Sequence, residues 1–264
     1  MSVHRSRRKV AFTEFERQMI SLCRHTDERL RSLPSRYKMY LFPKIYGPVN
    51  KAMYNTVLAR EVSIKRGDGM RQRIVLIDRA IASLREMQKP LMSLWNLIDI
   101  SESGCDFWVD MVNREFALLY GVARKEGKIP MFFALPKRKM ERIVFLKKMS
   151  DLHKYTYMKL GHAPEYTREH LGRLISDHID TALFSVVAGN RNIPATKAEA
   201  LERERMFNAA IDSLNALQVP LLALWNIMDY SEATMDEWSG LLDEELRLLE
   251  GLKKADRERY KNLR

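Results

Sequence analysis

The sequence predicts an all-α protein that consists of two tandem antiparallel four-helix bundles. Two observations lead to this prediction. The first is a long internal repeat, and the second is an apolar pattern whose spacing alternates between three and four residues, which is typical of bundle helices. No segment alternates between apolar and polar residues in the manner of a half-buried strand.

The internal repeat relates the two halves of the chain by a shift of 130 residues. Pro90-Leu-Met-Ser-Leu-Trp-Asn-Leu-Ile-Asp returns as Pro220-Leu-Leu-Ala-Leu-Trp-Asn-Ile-Met-Asp, and the same shift pairs Trp108 with Trp238. Solenoid repeats are only about 20 to 50 residues long, so each copy is expected to be a domain. Glycines and prolines gather between 121 and 136, which places the domains at residues 1–130 and 131–264.

Each copy is predicted to contain four helices. The first two cover residues 12–33 and 44–64 in one copy, and 143–160 and 167–188 in the other, with Pro34 and Pro164 in the turns between them. The third carries the apolar seam that ends in Trp95 or Trp225, and both tryptophans are expected to fill the core. The fourth follows Ser101 or Ser231, whose hydroxyl oxygens suit a helix start.

Two details of the predicted helices depend on single residues. Pro90 and Pro220 lie inside the third segments, where a proline removes a backbone donor, so we expect a kink there. Thr234 and Glu237 have the spacing of a capping box at the start of the last helix.

The composition bounds the cellular setting. Hydrophobic residues make up 46% of the chain, which is enough for a core in each copy. The two cysteines are too few for a disulfide framework, which favours a reducing cytoplasm. No apolar run approaches the roughly 20 residues of a membrane span, and the N-terminus lacks the apolar core of a secretion signal.

The positive charge is concentrated in the first copy. Residues 1–130 contain 24 Lys and Arg against 14 Asp and Glu, whereas residues 131–264 contain 21 against 20. Such a cationic surface binds phosphates with little dependence on sequence, so it predicts RNA as a partner. The predicted RNA-binding residues are Arg7, Arg8, Lys9, Arg17, Arg24, Arg31, Arg36, Lys38, Lys65, Arg66, Arg71 and Arg73.

The sequence carries no motif for a cofactor, a metal ion or a nucleophilic enzyme. It contains no Gly-rich phosphate loop, zinc-binding pattern or nucleophile elbow. One enzymatic alternative is Arg173-Leu-Ile-Ser-Asp-His178, which resembles the Arg-x-x-x-x-His dyad of the HEPN ribonucleases. Five residues on a helix turn the two side chains roughly 140° apart, which weighs against it. A helical adaptor without a nucleic-acid role is a further alternative.

Each copy also resembles the accessory variability proteins (Avd) of diversity-generating retroelements, which belong to the same broad class as the proteins encoded by 23S rRNA intervening sequences. The resemblance rests on Ala163-Pro-Glu-Tyr-Thr-Arg-Glu-His-Leu-Gly, Leu183-Phe-Ser-Val-Val-Ala-Gly and Tyr230-Ser-Glu, and on the run from Glu237 to Gly251. It implies a non-enzymatic bundle that binds the element's reverse transcriptase and template-repeat RNA and supports mutagenic cDNA synthesis. Members of that family assemble as rings of single bundles. The resemblance therefore adds homo-oligomerisation of this two-copy chain to the expectations.

Overall fold

All regular structure in the described part of the chain is helical. The computed structural model describes residues 5–62, 68–98, 100–123, 137–228 and 230–263. Within these ranges every element is an α-helix or a short π- or 3₁₀-helical turn, which confirms the all-α prediction. Among the described helices, none is both long enough and apolar enough to cross a membrane.

The chain divides into two compact units, which we describe separately. Unit 1 comprises Met1–Leu91 and Ile100–Ala134, and unit 2 comprises Met92–Asp99 and Leu135–Arg264. The sequence placed the boundary near residue 130, but Met92–Asp99 packs with the second unit although it belongs to the first copy of the repeat.

The first five helices of the chain are α1 (Arg5–Arg31), α2 (Ser35–Glu61), α3 (Gly69–Glu86), α4 (Gln88–Leu97) and α5 (Glu102–Ala123). In unit 1, α1 packs against α2 and α5, and α3 packs against the same two helices. The fully buried side chains at the centre include Phe15, Tyr40 and Phe116.

The remaining α-helices are α6 (Lys137–Arg142), α7 (Val144–Leu160), α8 (Glu165–Thr167), α9 (Arg173–Arg191), α10 (Lys197–Ile227) and α11 (Glu232–Arg259). In unit 2, α7 packs against α9 and α11, and α10 packs against the same two helices. The largest fully buried side chains there are Trp238, Tyr157 and Phe207. A π-helical turn at Arg168–Gly172 joins α8 to α9.

The repeat extends to individual buried hydrogen bonds. The indole Nε1 of Trp108 donates to Thr26 Oγ1 at 3.2 Å, and Trp238 donates to Thr156 at 3.0 Å, in each case 82 residues earlier in the chain. These bonds satisfy a polar group at the end of a buried aromatic side chain, so the tryptophan lies in the core without an unpaired donor.

The helix starts confirm one capping prediction and correct another. Ser101 Oγ accepts from the Gly104 amide at 3.1 Å, and Ser231 Oγ accepts from the Thr234 amide at 3.3 Å. Both serines therefore cap the fourth helix of their copy, as expected. The capping box at Thr234 is wrong, because Thr234 lies inside α11, and Glu237 accepts a hydrogen bond from Tyr155 instead.

Proline has different effects at different positions. Pro43 and Pro48 lie inside α2, which begins at Ser35 and therefore nine residues before the predicted start at Lys44. Near Pro90 the helix is interrupted between α3 and α4, as predicted, whereas α10 continues unbroken through Pro220. A proline removes a single backbone donor, and the helices here accommodate that loss.

A buried polar network holds the segment Met92–Asp99 within unit 2. Asn96 Nδ2 lies 3.1 Å from His153 Nδ1, and Ser150 Oγ donates to Asn96 Oδ1 at 2.6 Å. His153 Nε2 is 3.1 Å from Asp180 Oδ1, to which the Tyr157 hydroxyl donates at 2.9 Å. Side chains from the segment, α7 and α9 thus form one continuous chain of hydrogen bonds.

The two repeated tryptophans of the third segments have different environments. Trp95 in Met92–Asp99 is only 3% exposed, as predicted for a core residue. Trp225, its equivalent at the end of α10, is 41% exposed, so the expectation that it fills the core is wrong. The helical spacing is the same, but the second tryptophan has no comparable covering within the described residues.

We expect Asn96→Ala to lower the free energy of unfolding by about 1–3 kcal/mol, because the variant removes the buried acceptor of the Ser150 hydroxyl and the contact with His153 Nδ1. The repeat supplies a matched control, since Asn226 is exposed and, among the described residues, bonds to a carbonyl of its own helix. Asn226→Ala should therefore change stability by no more than about 0.5 kcal/mol. Urea unfolding curves measure both, and equal effects would contradict the structural role of Asn96.

Candidate nucleic-acid interface

The exposed arginines of α1 form the centre of the predicted RNA-binding surface. Arg17, Arg24 and Arg31 are all solvent-exposed. A spacing of seven residues returns to nearly the same helix face after a rise of about 10.5 Å, so the three side chains lie along one stripe. Arg31 Nε pairs with Asp27 at 2.7 Å, while in the described part of the chain neither Arg17 nor Arg24 has a carboxylate partner.

Three further predicted cations lie on the surface of unit 1. The Arg36 guanidinium lies over the Tyr37 ring, 4.7 Å from its centroid, and Lys38 in the same turn of α2 is partly exposed. Arg71 is exposed near the start of α3. Arg36 and Lys38 lie in the first turn of α2, directly after the turn at Pro34 that follows α1.

Arg73 does not belong to this surface. Its side chain is only 8% exposed, and its Nε donates to the carbonyl of Ala59 at 2.9 Å. Arg203, the repeat equivalent, donates in the same way to the carbonyl of Gly189 and pairs with Asp256. Both arginines thus satisfy carbonyls at the end of the second helix in their copy, which corrects the assignment of Arg73 to RNA binding.

The other predicted RNA-binding residues lie outside the side chains that the structure describes. Arg7, Arg8 and Lys9 belong to α1 by their backbone only, and Lys65 and Arg66 lie outside the described residues.

Carboxylates limit the cationic surface on one side. Glu16 pairs with Arg60 of α2 at 2.6 Å, so the Arg60 guanidinium already has a carboxylate partner. This contact joins the first half of α1 to the last turn of α2, and Cys23 farther along α1 contacts the Val49 carbonyl in the middle of α2, so the two helices run antiparallel. Within the described part of α1, Arg17 and Arg24 are exposed arginines without a carboxylate partner.

The residues of the HEPN-like pattern both lie on α9. Arg173 is exposed and His178 is partly buried, and a separation of five residues directs them to different faces of the helix. His170, eight residues before His178, contacts the Tyr166 carbonyl through Nδ1 at 2.9 Å. Within the described ranges, no three His, Cys, Asp or Glu side chains group as metal ligands would.

Two buried glutamates were not predicted from the sequence. Glu115 and Glu245 are fully buried, and within the described part of the chain neither carboxylate has a hydrogen-bond partner. They occupy equivalent positions of the repeat, one in α5 and one in α11, and this coincidence is the signal that could have identified them. Burial, and then proximity to Glu115, also raises the pKa of the Cys23 thiol, to about 12.

Burial favours the protonated form of both carboxyls. The pKa of Glu245 is raised from 4.5 to about 9, mainly by loss of solvent and then by Glu244, while Lys148 lowers it. The pKa of Glu115 is raised well above its usual value because burial removes solvent from the carboxyl. At neutral pH the Glu245 side chain is therefore neutral in the folded protein, and burial shifts the pKa of Glu115 in the same direction.

The described geometry thus offers anions a line of exposed guanidinium groups along α1. Comparisons with protein-family models, with curated proteins and with solved structures found no match for the chain.

We expect Glu245→Gln to reduce the loss of stability at high pH. Between pH 4.5 and about 9 the carboxyl is protonated when folded and ionised when unfolded, so unfolding releases a proton and stability falls as pH rises. The slope for one such group is at most about 1.4 kcal/mol per pH unit. Urea unfolding at several pH values should therefore show that, from pH 5 upwards, the free energy of unfolding of the variant rises relative to that of the parent.

The exposed Glu250 of the same helix provides the control, and Glu250→Gln should leave the pH profile of stability unchanged. A parallel offset between the Glu245→Gln and parent profiles, with no change in slope, would contradict a neutral buried carboxyl.

Proposed function

We propose that this chain is a non-enzymatic RNA-binding protein that acts as an accessory partner of a reverse transcriptase, as in mutagenic cDNA synthesis by a diversity-generating retroelement. In this proposal each unit forms an antiparallel four-helix bundle, the first from α1, α2, α3 and α5, and the second from α7, α8 with α9, α10 and α11. The observation that carries the proposal is the line of exposed arginines on α1.

Phosphate is the ligand that suits these arginines best. A guanidinium group stays charged at any physiological pH and presents several donors in one plane, which fits the oxygens of a phosphate. Arg17 and Arg24 are free of carboxylates in the described part of the chain, so they can bind an anion without first breaking an ion pair. The excess of positive charge in the first copy adds a long-range attraction for RNA.

A reverse transcriptase is proposed as the partner because the sequence motifs resemble those of the accessory variability proteins. The near-neutral second copy is better suited to protein contacts than to phosphates, which supports a division of roles between the copies. A cytoplasmic location accords with the free thiols of Cys23 and Cys105.

Replacing Arg17, Arg24 and Arg31 together by Gln should weaken binding to a single-stranded RNA and flatten its salt dependence. Each phosphate contact to a single strand contributes about 0.7 to the slope of log K against log salt, so the loss of three should reduce that slope by about 2. Fluorescence anisotropy with a labelled RNA over a series of salt concentrations measures both quantities.

A matched variant with the same change in net charge replaces the exposed Arg173, Arg247 and Lys254 of unit 2 by Gln. It should retain most of the binding and of the salt slope. Equal losses in the two triple variants would show that net charge alone attracts RNA, and the α1 surface would then be rejected as the interface.

Two further measurements separate the proposal from its alternatives. Co-purification with a reverse transcriptase from the host cell would support the accessory role, and failure to associate with one would argue for an adaptor or an independent RNA-binding protein. RNA cleavage that disappears in His178→Ala would instead favour the HEPN-like nuclease.

A further inference from the structure

An apolar face is exposed where α10 ends. Leu222 is 55% exposed and Trp225 is 41% exposed, and Val219 and Ile227 nearby are 73% and 62% exposed. Trp225 and Leu222 line a groove of about 380 Å³ between the end of α10 and the start of α11. Leu222 and Trp225 lie three residues apart and so share one side of the helix, and an exposed tryptophan with an aliphatic neighbour is typical of a surface that another protein covers.

The repeat shows what covers the equivalent residues in the first copy. A shift of 130 residues relates Leu222 and Trp225 to Met92 and Trp95 of the segment Met92–Asp99. In unit 2 this segment is buried, with Met92 only 1% exposed, and Asn96 bonds to Ser150 and His153 of α7. The first-copy segment therefore packs on α7, whereas no helix of the described residues covers its second-copy counterpart in this way.

The helix equivalent to α7 in the first copy is α1, and its corresponding face is also uncovered. Ser150 on α7, which is 7% exposed, corresponds to Ile20 on α1, which is 41% exposed. Lys147 and Lys154 correspond to the exposed Arg17 and Arg24. The chain thus has one uncovered segment at the end of α10 and one uncovered helix face of the kind on which that segment packs.

The two uncovered surfaces also have opposite charges. Asp236 and Asp243, both exposed, line the groove beside Trp225. Arg17 and Arg24 flank Ile20 at positions three residues before it and four after it on α1. An apolar centre with an acidic rim on one side and a basic rim on the other is complementary in both respects.

We propose that chains associate head to tail. Leu222 and Trp225 of one chain pack on Ile20 of a second chain, and Asp236 and Asp243 of the first chain face Arg17 and Arg24 of the second. The contact is heterologous, because it joins two different surfaces, so each chain can bind one neighbour at each end. Ile20 and Cys23 replace the polar Ser150 and His153, which makes this contact more apolar than the one in unit 2. This inference does not depend on RNA binding.

Two single substitutions in the full chain test the proposal. Ile20→Asp introduces a carboxylate that faces Asp236 and Asp243, and Trp225→Asp removes the main apolar contact. Each should raise the dissociation constant of self-association by at least about 30-fold, as the loss of a central interface residue does. Sedimentation velocity without nucleic acid, over a wide range of concentration, measures the association.

Mixing the two variants gives the decisive result. The Ile20→Asp chain keeps an intact Trp225 surface and the Trp225→Asp chain keeps an intact Ile20 surface, so the mixture should form a complex of two chains and no larger species. A symmetric contact between two Trp225 surfaces predicts instead that Ile20→Asp has no effect and that mixing restores nothing, which would overturn the proposal.

Surface substitutions elsewhere provide controls for folding and charge. Tyr54→Asp on α2 and Ile193→Asp before α10 alter side chains that are 64% and 79% exposed, and both should leave association unchanged. Circular dichroism of every variant should match that of the parent. A parent chain that stays monomeric at all concentrations, or association that neither Ile20→Asp nor Trp225→Asp weakens, would also overturn the proposal.

Discussion

The packing of Met92–Asp99 on α7 is the contact on which the organisation of the second unit depends. Asn96 and Ser150 are buried polar groups that bond to each other, so displacing the segment would leave both unpaired in a low-dielectric interior. The hydrogen bonds continue through His153 to Asp180 and Tyr157, which ties the position of the segment to α9. Apolar burial alone would favour this packing, but the polar network selects a single register for it.

Much of the fold could be predicted from the sequence because the two copies agree. The shift of 130 residues predicted that Trp108 and Trp238 are equivalent, and both indoles donate to threonines at equivalent positions; Ser101 and Ser231 cap their helices as expected. The start of α2 was missed because prolines were weighed as helix breakers, whereas α2 contains two of them. Periodicity identifies the apolar side of a helix, but a single proline costs less than the packing of a long buried face can supply.

The errors at the candidate site have a different cause, which is that sequence patterns do not reveal what lies opposite a residue. Arg73 looked like a surface cation beside Arg71, but the carbonyl of Ala59 lies within hydrogen-bond distance and holds it inside. Trp225 looked like Trp95, but burial requires a covering helix, and only the first-copy tryptophan has one among the described residues. Equivalent residues in a repeat have equivalent intrinsic preferences without having equivalent neighbours.

The two proposals for α1 involve the same charged side chains. Arg17 and Arg24 would face phosphates in one and the carboxylates of a second chain in the other, and rim charges contribute more to encounter rate and specificity than to affinity. In the proposed contact between chains, Ile20 and Trp225 would supply affinity that salt weakens little, whereas RNA binding falls steeply with salt. Arg31 lies about 10.5 Å beyond Arg24 along the helix and pairs with Asp27, so RNA bound there beside a second chain would displace that carboxylate.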